Sequence, residues 1–402
     1  MNNCKVLFLV DFYYPVSSAN AICIKHLQES LLSQNISSDV ICYGSKDGFL
    51  INNEFGSVYC VKNSLSLTRD FGKKPISFFE KIHNGIIWPL KSIGVIKSYQ
   101  KTINNLKKSN NYYGIVCSMR PIEAALSCLK TDFVLYELDS ITNNSDNLFG
   151  IKKYLIHRPN NIERIIYKKA GLIIHMRFHE KYYNNKKYLR YSAKSIFSDI
   201  PGLIDRKRFG NNCNKRNDNK VLICYTGALD SSIRSPKYSL DLFKKVSERV
   251  GLELHFYSRG DCEEIINSKE YSNFTFNEGY VSSEKISSVI NNSDFLLNIG
   301  NHFSGQVSSL PSKTIEYIST GRPIIHIDGG DNDTAKNYIA RCSNSLIISP
   351  NDSLDSNVEK VLIFLKKKIG FIEDFQVIKQ QFKENLPSYT VNILLDYFAN
   401  RR

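Results

Sequence analysis

Short apolar runs that alternate with helical patterns are the feature that most constrains the fold of this chain. The run KVLFLV, residues 5–10, is apolar after its lysine, as expected of a strand buried on both faces of a parallel sheet. A loop follows, then apolar residues at helical spacing (Ile24, Leu27 and Leu31), and then the strand candidate SSDVICYG. Because strands and helices alternate in this way, the sequence predicts α/β domains with parallel sheets.

A polar stretch interrupts this alternation once. Residues 203–220 are rich in asparagine and lysine, and a second strand series begins directly afterwards with VLICYTGAL. We therefore predict two Rossmann-like α/β domains whose parallel sheets face each other across a ligand-binding cleft. The predicted parts are an N-terminal domain (1–205), a linker (206–220), a C-terminal domain (221–380) and a final helical segment (381–402) that packs back toward the N-terminal domain.

Composition limits the class of protein. The 402 residues are 42% hydrophobic and 23% charged, which is ordinary for a globular protein. No apolar run reaches the roughly 18 residues of a membrane-spanning helix, and the first residues do not resemble a signal peptide. The ten cysteines form no CxxC pair and no zinc-like cluster with histidine. We expect a cytoplasmic protein whose cysteines are free and mostly buried.

The net charge of +14 is concentrated in the first half of the chain. Residues 1–220 contain 33 Lys and Arg against 17 Asp and Glu, whereas residues 221–402 contain 20 against 22. A basic half indicates a polyanionic partner, such as anionic lipid headgroups, a phosphorylated substrate or nucleic acid, although a solvated lysine-rich surface gives the same count.

Within the basic half, residues 74–103 interleave lysines with large apolar side chains. These include Phe78, Phe79 and Trp88, the only tryptophan. This composition suits an interfacial helix that faces an anionic membrane, and it also suits a core helix with a lysine rim. The three aromatic residues are our candidates for a membrane-facing surface.

The stretch SLPSKTIEYISTGRPIIHI, residues 309–327, predicts one short helix. Pro311 suits the first turn, and Ser309 or Ser312 would cap the free N–H groups. Ile315 and its neighbour one turn later would face the core. Gly321 suits the left-handed residue that ends a helix. The N-terminus of such a helix attracts anions, because its N–H groups and dipole are positive there.

Two charged residues stand at the start of this predicted helix. Lys313 adds a positive charge beside the N-terminus, and Glu316, one turn later, can accept hydrogen bonds from the two vicinal hydroxyls of a ribose. A lysine for phosphate and an acid for sugar are what a nucleotide needs. Considered alone, the same pair also fits an i,i+3 ion pair on the surface.

A second helix start carries basic residues as well. In YTGALDSSIRSPKYSLDLF a strand ends at Gly227, Ser235 and Pro236 suit the N-cap and N1 positions, and Arg234 and Lys237 lie on either side. A basic residue in the first turn opposes the helix dipole, so a diphosphate ligand gives it a reason to be there, although a solvated lysine is the more common case at a single site.

Several motifs of the second half have the order and spacing of a known family. They are a turn at Gly279-Tyr280-Val281, Asp294 before a strand, Glu316 on a helix, and Gly321-Arg322-Pro323. With them, residues 220–330 resemble the C-terminal domain of retaining, GT-B-fold sugar-nucleotide glycosyltransferases of the family four type. The PSK…EY form resembles bacterial members that build capsule, O-antigen or other surface polysaccharides, and the first half is similar to the family more weakly.

This resemblance implies roles for the candidate residues. Glu316 would contact the donor ribose, the 279–281 turn would lie against the base, and Arg234 and Lys237 would hold the diphosphate. The family has another acid eight positions before Glu316, where this chain has Ser308. We expect Ser308, its neighbour Ser309 or backbone N–H groups to replace that acid at the donor sugar.

The first loop of the chain also differs from the family pattern. It reads SSANA where glycines are typical, so Ser18 and Asn20 are the residues that would approach the donor there. Because this loop contains no glycine, we do not expect its backbone to come as close to the donor.

The acceptor side is less marked in the sequence. Asp139, in VLYELDSITNN, follows a strand and would orient the acceptor hydroxyl or accept its proton, although it also suits a helix cap. His157, His175 and His179 are further candidates that have no spacing signal.

A possible metal-binding motif lies near the end of the second domain. The D-x-D at 331–333 resembles the metal–diphosphate motif of the other large transferase fold, but its late position favours a polar strand-to-helix loop. We predict no metal and no other cofactor.

Together these features predict a glycosyltransferase that moves a sugar from a nucleoside-diphosphate sugar to an acceptor hydroxyl, with retention and without a metal. The resemblance implies a lipid-linked acceptor in capsule, O-antigen or lipopolysaccharide synthesis, and hence a peripheral protein at the inner face of the plasma membrane. One rival is a GT-B epimerase or hydrolase, which should need more acids and histidines. Another is a basic nucleic-acid-binding protein, but no recognised motif for nucleic acid is present.

Overall fold

The computed structural model describes residues 4–14, 17–62, 88–90, 92–138, 155, 157–204, 220–281, 283–302 and 310–401. The chain divides into two compact units. The first comprises Met1–Pro201 and Pro387–Arg402, and the second comprises Gly202–Leu386. The predicted linker, apart from its last residue, lies outside the described residues.

The first unit is built on an eight-stranded sheet with the order β3-β4-β2-β1-β5-β6-β7-β8. Its described neighbours pair in parallel except β3 and β4, which form an antiparallel pair at one edge. Val6, Leu7, Phe8 and Leu9 are buried, as expected of a central strand. The strands are β1 (Lys5–Leu9), β2 (Ser38–Gly44), β3 (Gly48–Asn52), β4 (Ser57–Lys62), β5 (Tyr112–Ser118), β6 (Val134–Glu137), β7 (Leu172–Met176) and β8 (Ser195–Ser198).

Helices pack against this sheet, and the last helix of the chain belongs to the same unit. The helices are α1 (Ala19–Leu32), α2 (Ile93–Ser109), α3 (Ile122–Ser127), α4 (His157–Lys169), α5 (Glu180–Tyr183), α6 (Lys186–Leu189) and, after the second unit, α14 (Pro387–Ala399). A Cβ on Gly114 of β5 would lie 2.0 Å from a ring carbon of Phe398, so this glycine lets α14 approach the sheet closely.

The second unit is built on a six-stranded sheet with the order β11-β10-β9-β12-β13-β14, in which the described pairs are parallel. The strands are β9 (Val221–Leu229), β10 (Leu252–Gly260), β11 (Thr275–Asn277), β12 (Phe295–Ile299), β13 (Ile324–Ile327) and β14 (Ser345–Ile348). The helices are α7 (Lys237–Ser247), α8 (Glu263–Ile266), α9 (Ser283–Asn292), α10 (Ser312–Thr320), α11 (Thr334–Ile339), α12 (Leu354–Lys368) and α13 (Phe375–Gln381).

The strand order of the second sheet determines where a ligand would bind. The chain runs outward from β9 to β11 and then returns to the other side of β9 with β12, so the connections leave β9 in opposite directions. Parallel sheets bind ligands at the carboxyl ends of the strands near such a reversal. The prediction of two α/β units with parallel sheets is confirmed. Among the described residues, no helix is both long and apolar enough to cross a membrane.

Candidate functional site

A buried lysine marks the carboxyl end of β9, the central strand of the second unit. Lys313, the second residue of α10, is only 8% exposed. Its Nζ donates a hydrogen bond to the carbonyl oxygen of Thr226 at 3.0 Å and lies 3.7 Å from the ring centroid of Tyr225. Gly227 has φ +125°, and a Cβ there would lie 3.0 Å from Nζ, so a glycine is what leaves room for the ammonium group.

The charge of Lys313 is poorly compensated by neighbouring side chains of the protein. Burial lowers the pKa of Lys313 well below its usual 10.5, the nearby Arg234 lowers it further, and Glu316 acts in the opposite direction. Among the described residues, no carboxylate oxygen lies within ion-pair distance of Nζ. An ammonium group in this environment would be stabilised by an anionic ligand.

Glu316 lies one turn further along α10 and is half-buried. Burial raises the pKa of its carboxyl above the usual 4.5, and Lys313 opposes that rise. The two residues do not form the surface ion pair that the sequence also allowed. Tyr317, next to Glu316, fixes the helix to β9, because its hydroxyl lies 2.8 Å from the backbone nitrogen of Thr226.

The start of α10 differs in part from the prediction. Its N-cap is Pro311, which has no side-chain hydrogen-bond donor or acceptor, and Ser312 is the first helical residue. Of the two cap candidates, Ser312 is therefore not the N-cap, and Ser309, like Ser308, lies outside the described residues. The helix ends at Gly321 in the left-handed conformation, φ +66°, as predicted.

Arg234 contributes a second positive charge near the same strand end. Its Nε lies 2.9 Å from the Oδ1 of Asn301, which follows β12, and its Nη1 donates to the carbonyl oxygen of Ala228 at 3.2 Å. These contacts fix the guanidinium between the end of β9 and the loop after β12. Asn301 is a site residue that no sequence pattern marked.

Lys237 has a different environment from the one predicted. Pro236 is the N-cap of α7 rather than its first residue, and Lys237 begins the helix. The Nζ of Lys237 lies 2.7 Å from Asp241 Oδ1 and 2.5 Å from the hydroxyl of Tyr271, and these hydrogen bonds raise its pKa. Its charge is already neutralised by a neighbour on the same helix.

The 279–281 turn exposes an aromatic ring. Gly279 has φ +66°, and its N–H donates to the side chain of Asn277 at 3.2 Å. Tyr280 is 71% exposed, its ring centroid lies 5.4 Å from the guanidinium of Arg259, and Val281 is half-buried. The tyrosine and arginine together form a surface on which a planar base can stack. Arg259 was not recognised from the sequence.

In the first unit, Ser18 and Asn20 have structural contacts at the start of α1. Ser18 is the N-cap: its Oγ accepts from the N–H of Ala21 at 3.1 Å and donates to Asp11. Asn20 is buried in the first turn.

Trp88, one of the three candidates for a membrane-facing surface, is half-buried. Phe78, Phe79 and Asp139 lie outside the described residues.

The histidine candidates of the first unit are mostly enclosed. His175 is 2% exposed, hydrogen-bonds the buried carboxylate of Glu137 at 2.8 Å and stacks on Tyr183. His179 is fully buried, whereas His157 is exposed at the start of α4. The environments of His175 and His179 are therefore those of core residues.

The D-x-D motif at 331–333 does not present two converging carboxylates. Asp331 is exposed, while Asp333 is buried and caps α11 by accepting from the N–H of Ala335 at 3.0 Å. The described residues that come closest to a metal-binding set are His326, Asp328 and Asp333. In this set Asp333 pairs with His326, and Asp328 pairs with the ammonium of Lys336 at 2.5 Å, so both carboxylates already have partners.

No protein-family model and no curated protein matches the sequence. Solved structures do match over the whole chain. A trehalose-phosphate synthase of Burkholderia xenovorans shares 9% identity at a TM-score of 0.60, over 98% of this chain and 100% of that one. Alr3699/HepE of Anabaena, in complex with UDP and glucose, shares 12% identity at a TM-score of 0.60, over 98% and 99%.

A third similar structure is the lipopolysaccharide outer core galactosyltransferase WaaB, which shares 11% identity at a TM-score of 0.54, over 99% of this chain and 100% of that one. At such low identities a likeness in structure establishes the fold and not the activity. The chain therefore has the two-unit α/β fold of the GT-B glycosyltransferases.

Proposed function

We propose that this protein is a glycosyltransferase that moves a sugar from a nucleoside-diphosphate sugar to an acceptor hydroxyl. The observation that carries the proposal is the pair of Lys313 and Glu316 at the carboxyl end of β9. The ammonium is buried against Thr226 and Tyr225 without a carboxylate partner among the described residues. The acid one turn away has no described hydrogen-bond donor, so both groups are available to a ligand.

The chemistry follows from where charge develops. When the sugar leaves, the diphosphate gains negative charge, and Lys313, Arg234 and the N-terminus of α10 would stabilise it. Glu316 would accept hydrogen bonds from the ribose, and Tyr280 with Arg259 would cover the base. We propose that these side chains take the place of a metal ion and that the anomeric configuration is retained, as the family resemblance implies.

For the acceptor we propose a lipid-linked glycan in bacterial surface-polysaccharide synthesis, with Asp139 on the acceptor side. Two observations support this. The first half of the chain is strongly basic, which suits an anionic membrane surface. WaaB, one of the structures that it resembles, is a galactosyltransferase of the lipopolysaccharide outer core. The protein would then act in the cytoplasm, at the inner face of the plasma membrane.

A thermal-shift screen against UDP-, GDP-, dTDP- and CMP-sugars tests the donor. UDP-sugars come first, because HepE was solved with UDP and glucose. A ligand at about 100 times its Kd stabilises the folded state by about 2.7 kcal/mol, which is a readily measured increase in Tm. The increase should be small in Glu316→Ala.

Product analysis then separates the possible reactions. Sugar transferred to a lipid-linked glycan supports the proposal, whereas hydrolysis or epimerisation of the donor without transfer contradicts it. Salt-dependent binding to RNA or DNA, with no stabilisation by any nucleotide sugar, would also contradict it.

A further inference from the structure

The end of α12, the start of α13 and the connection between them expose apolar side chains on the second unit. Five large hydrophobic residues within 363–377 are between 38% and 53% exposed: Ile363, Ile369, Phe371, Ile372 and Val377. Their neighbours Phe364 and Ile378 are buried, so the chain alternates here between core and surface. We name residues 363–379 the apolar–basic turn.

Backbone hydrogen bonds hold this turn in one conformation. The N–H of Ile369 donates to Leu365 and that of Phe371 to Lys368, each at 3.0 Å. Gly370 has φ +73°, which allows the tight reversal between them. Further on, the N–H of Glu373 donates to Gly321 at 2.8 Å. The exposed side chains are therefore presented by an ordered turn.

The apolar–basic turn exposes more positive charge than negative charge. Lys366, Lys367 and Lys379 are exposed, and among the described residues no carboxylate oxygen lies within ion-pair distance of them. Lys368 lies with its Nζ 4.3 Å from the ring centroid of Phe371. Of the two acids in the segment, Glu373 is buried and accepts from Ser343 at 2.5 Å.

The second acid of the segment is exposed and accepts a hydrogen bond from the backbone. Asp374 caps α13, and its carboxylate accepts from the N–H of Gln376 at 2.7 Å. Two other surface lysines of this unit have acidic partners: Lys244 pairs with Glu270, and Lys245 pairs with Asp355. These two paired lysines are therefore a comparison for the unpaired lysines of the apolar–basic turn.

We propose that the apolar–basic turn is a docking surface for an anionic lipid bilayer. Isoleucine and phenylalanine side chains would insert at the level of the headgroups, while the lysines would bind the lipid phosphates. A second copy of the chain fits less well. In a symmetric dimer the same patch meets itself, so the lysines of both copies would face each other. This membrane contact rests on the proposed function, which places the protein at a membrane. Binding of the bilayer does not require a bound sugar donor.

Vesicle co-sedimentation of the full chain tests the lysines. The wild type should bind vesicles of phosphatidylglycerol and phosphatidylethanolamine and should not bind phosphatidylcholine alone. Lys366→Gln with Lys367→Gln should weaken binding about 25-fold, because each lysine near an anionic surface contributes about fivefold. The control, Lys244→Gln with Lys245→Gln, removes the same charge elsewhere and should change binding less than about threefold.

A second pair of variants tests the apolar side chains. Ile369→Ser with Phe371→Ser should weaken vesicle binding at least about tenfold. The matched control is Phe49→Ser with Ile165→Ser, because these residues of the first unit are similarly exposed and of the same types. The control should bind vesicles like the wild type, and both pairs should keep the wild-type Tm.

Three outcomes would overturn the proposal. The first is a wild type that does not bind anionic vesicles. The second is equal binding by the turn variants and their controls, which would assign any membrane contact to another surface. The third is a wild-type dimer that the turn variants convert to monomer without a change in vesicle binding. Because nucleotide-sugar stabilisation is measured without lipid, failure of this proposal and failure of the proposed function are distinguishable.

Discussion

Two helix starts of the second unit have nearly the same sequence pattern and opposite environments. At α7, Pro236 is followed by Lys237 and, four residues later, by Asp241. At α10, Pro311 precedes Lys313, and an acid follows three residues later. Lys237 is exposed and paired, and its pKa is raised. Lys313 is buried without a described carboxylate partner, and its pKa is lowered.

The difference teaches that a basic residue at a helix start is not in itself a phosphate site. Lys237 completes a surface ion pair of the kind that contributes a few tenths of a kcal/mol. Lys313 is desolvated against Thr226 and Tyr225, where an anion would interact with it far more strongly than in water. The same pattern therefore forms a solvated ion pair on the surface at α7, whereas at α10 it provides the lysine of the proposed ligand site.

The largest expected effect comes from Lys313→Met. Loss of a charge-assisted contact to the diphosphate should weaken nucleotide binding about 100-fold, since a hydrogen bond to a charged group contributes up to about 3 kcal/mol. Isothermal titration calorimetry with UDP, or with the nucleotide that the screen identifies, measures this loss of affinity. If this variant bound as tightly as the wild type, Lys313 would not contact the phosphates and the comparison of the two helices would lose its functional meaning.

Glu316→Gln should have the next largest effect. The amide keeps the shape of the side chain but removes the negative charge, so the hydrogen bonds from the ribose hydroxyls become weaker. The nucleotide should lose about 2 kcal/mol of binding free energy, or roughly 30-fold in affinity. A 2′-deoxyribose nucleotide should lose less affinity in the variant than its ribose counterpart does. Equal losses for both nucleotides would show that Glu316 acts through Lys313 rather than through the ribose.

The lowered pKa of Lys313 predicts a pH dependence with a definite sign. Between its folded-state pKa and the usual 10.5, the unfolded chain binds more protons, so the free energy of unfolding should rise with pH in this window. Over the same window nucleotide affinity should fall, because the ammonium form is the one that binds phosphate.

Urea unfolding from about pH 6 to about pH 9 checks this effect. Lys313→Met should lack this part of the pH dependence and should be more stable by about 1 kcal/mol at the acidic end, because the uncompensated buried charge is gone. Parallel pH profiles for the wild type and the variant would be inconsistent with a desolvated Lys313.

Local features of the fold followed from the sequence because neighbouring residues determine them. The apolar run at residues 5–10 contains the buried strand β1, Gly321 ends α10 in the left-handed region, and Ile315 faces the core. The sequence left the N-cap open between Ser309 and Ser312, whereas Pro311 takes that position. Several turn-forming residues lie side by side there, and local preference does not choose among them.

The environment of Lys313 was not predictable, because it depends on contacts distant in sequence. Thr226, which accepts its hydrogen bond, is 87 residues away, and the glycine that leaves room for it follows at position 227. Asn301 and Arg259 were missed for the same reason, since neither belongs to a motif. Sequence spacing indicated both lysines equally, and only the packing around them distinguishes one from the other.

Lys237→Met should have the smallest effect and completes the comparison. Its ammonium already has Asp241 and Tyr271 as partners on an exposed surface, so the free energy of unfolding should fall by about 0.5 kcal/mol or less. Nucleotide affinity should change less than about threefold, because at 0.1 M salt an exposed charge is largely screened beyond about 10 Å. A loss as large as that of Lys313→Met would mean that Lys237 leaves Asp241 to bind the diphosphate, and that pairing in the free protein does not exclude a role at the site.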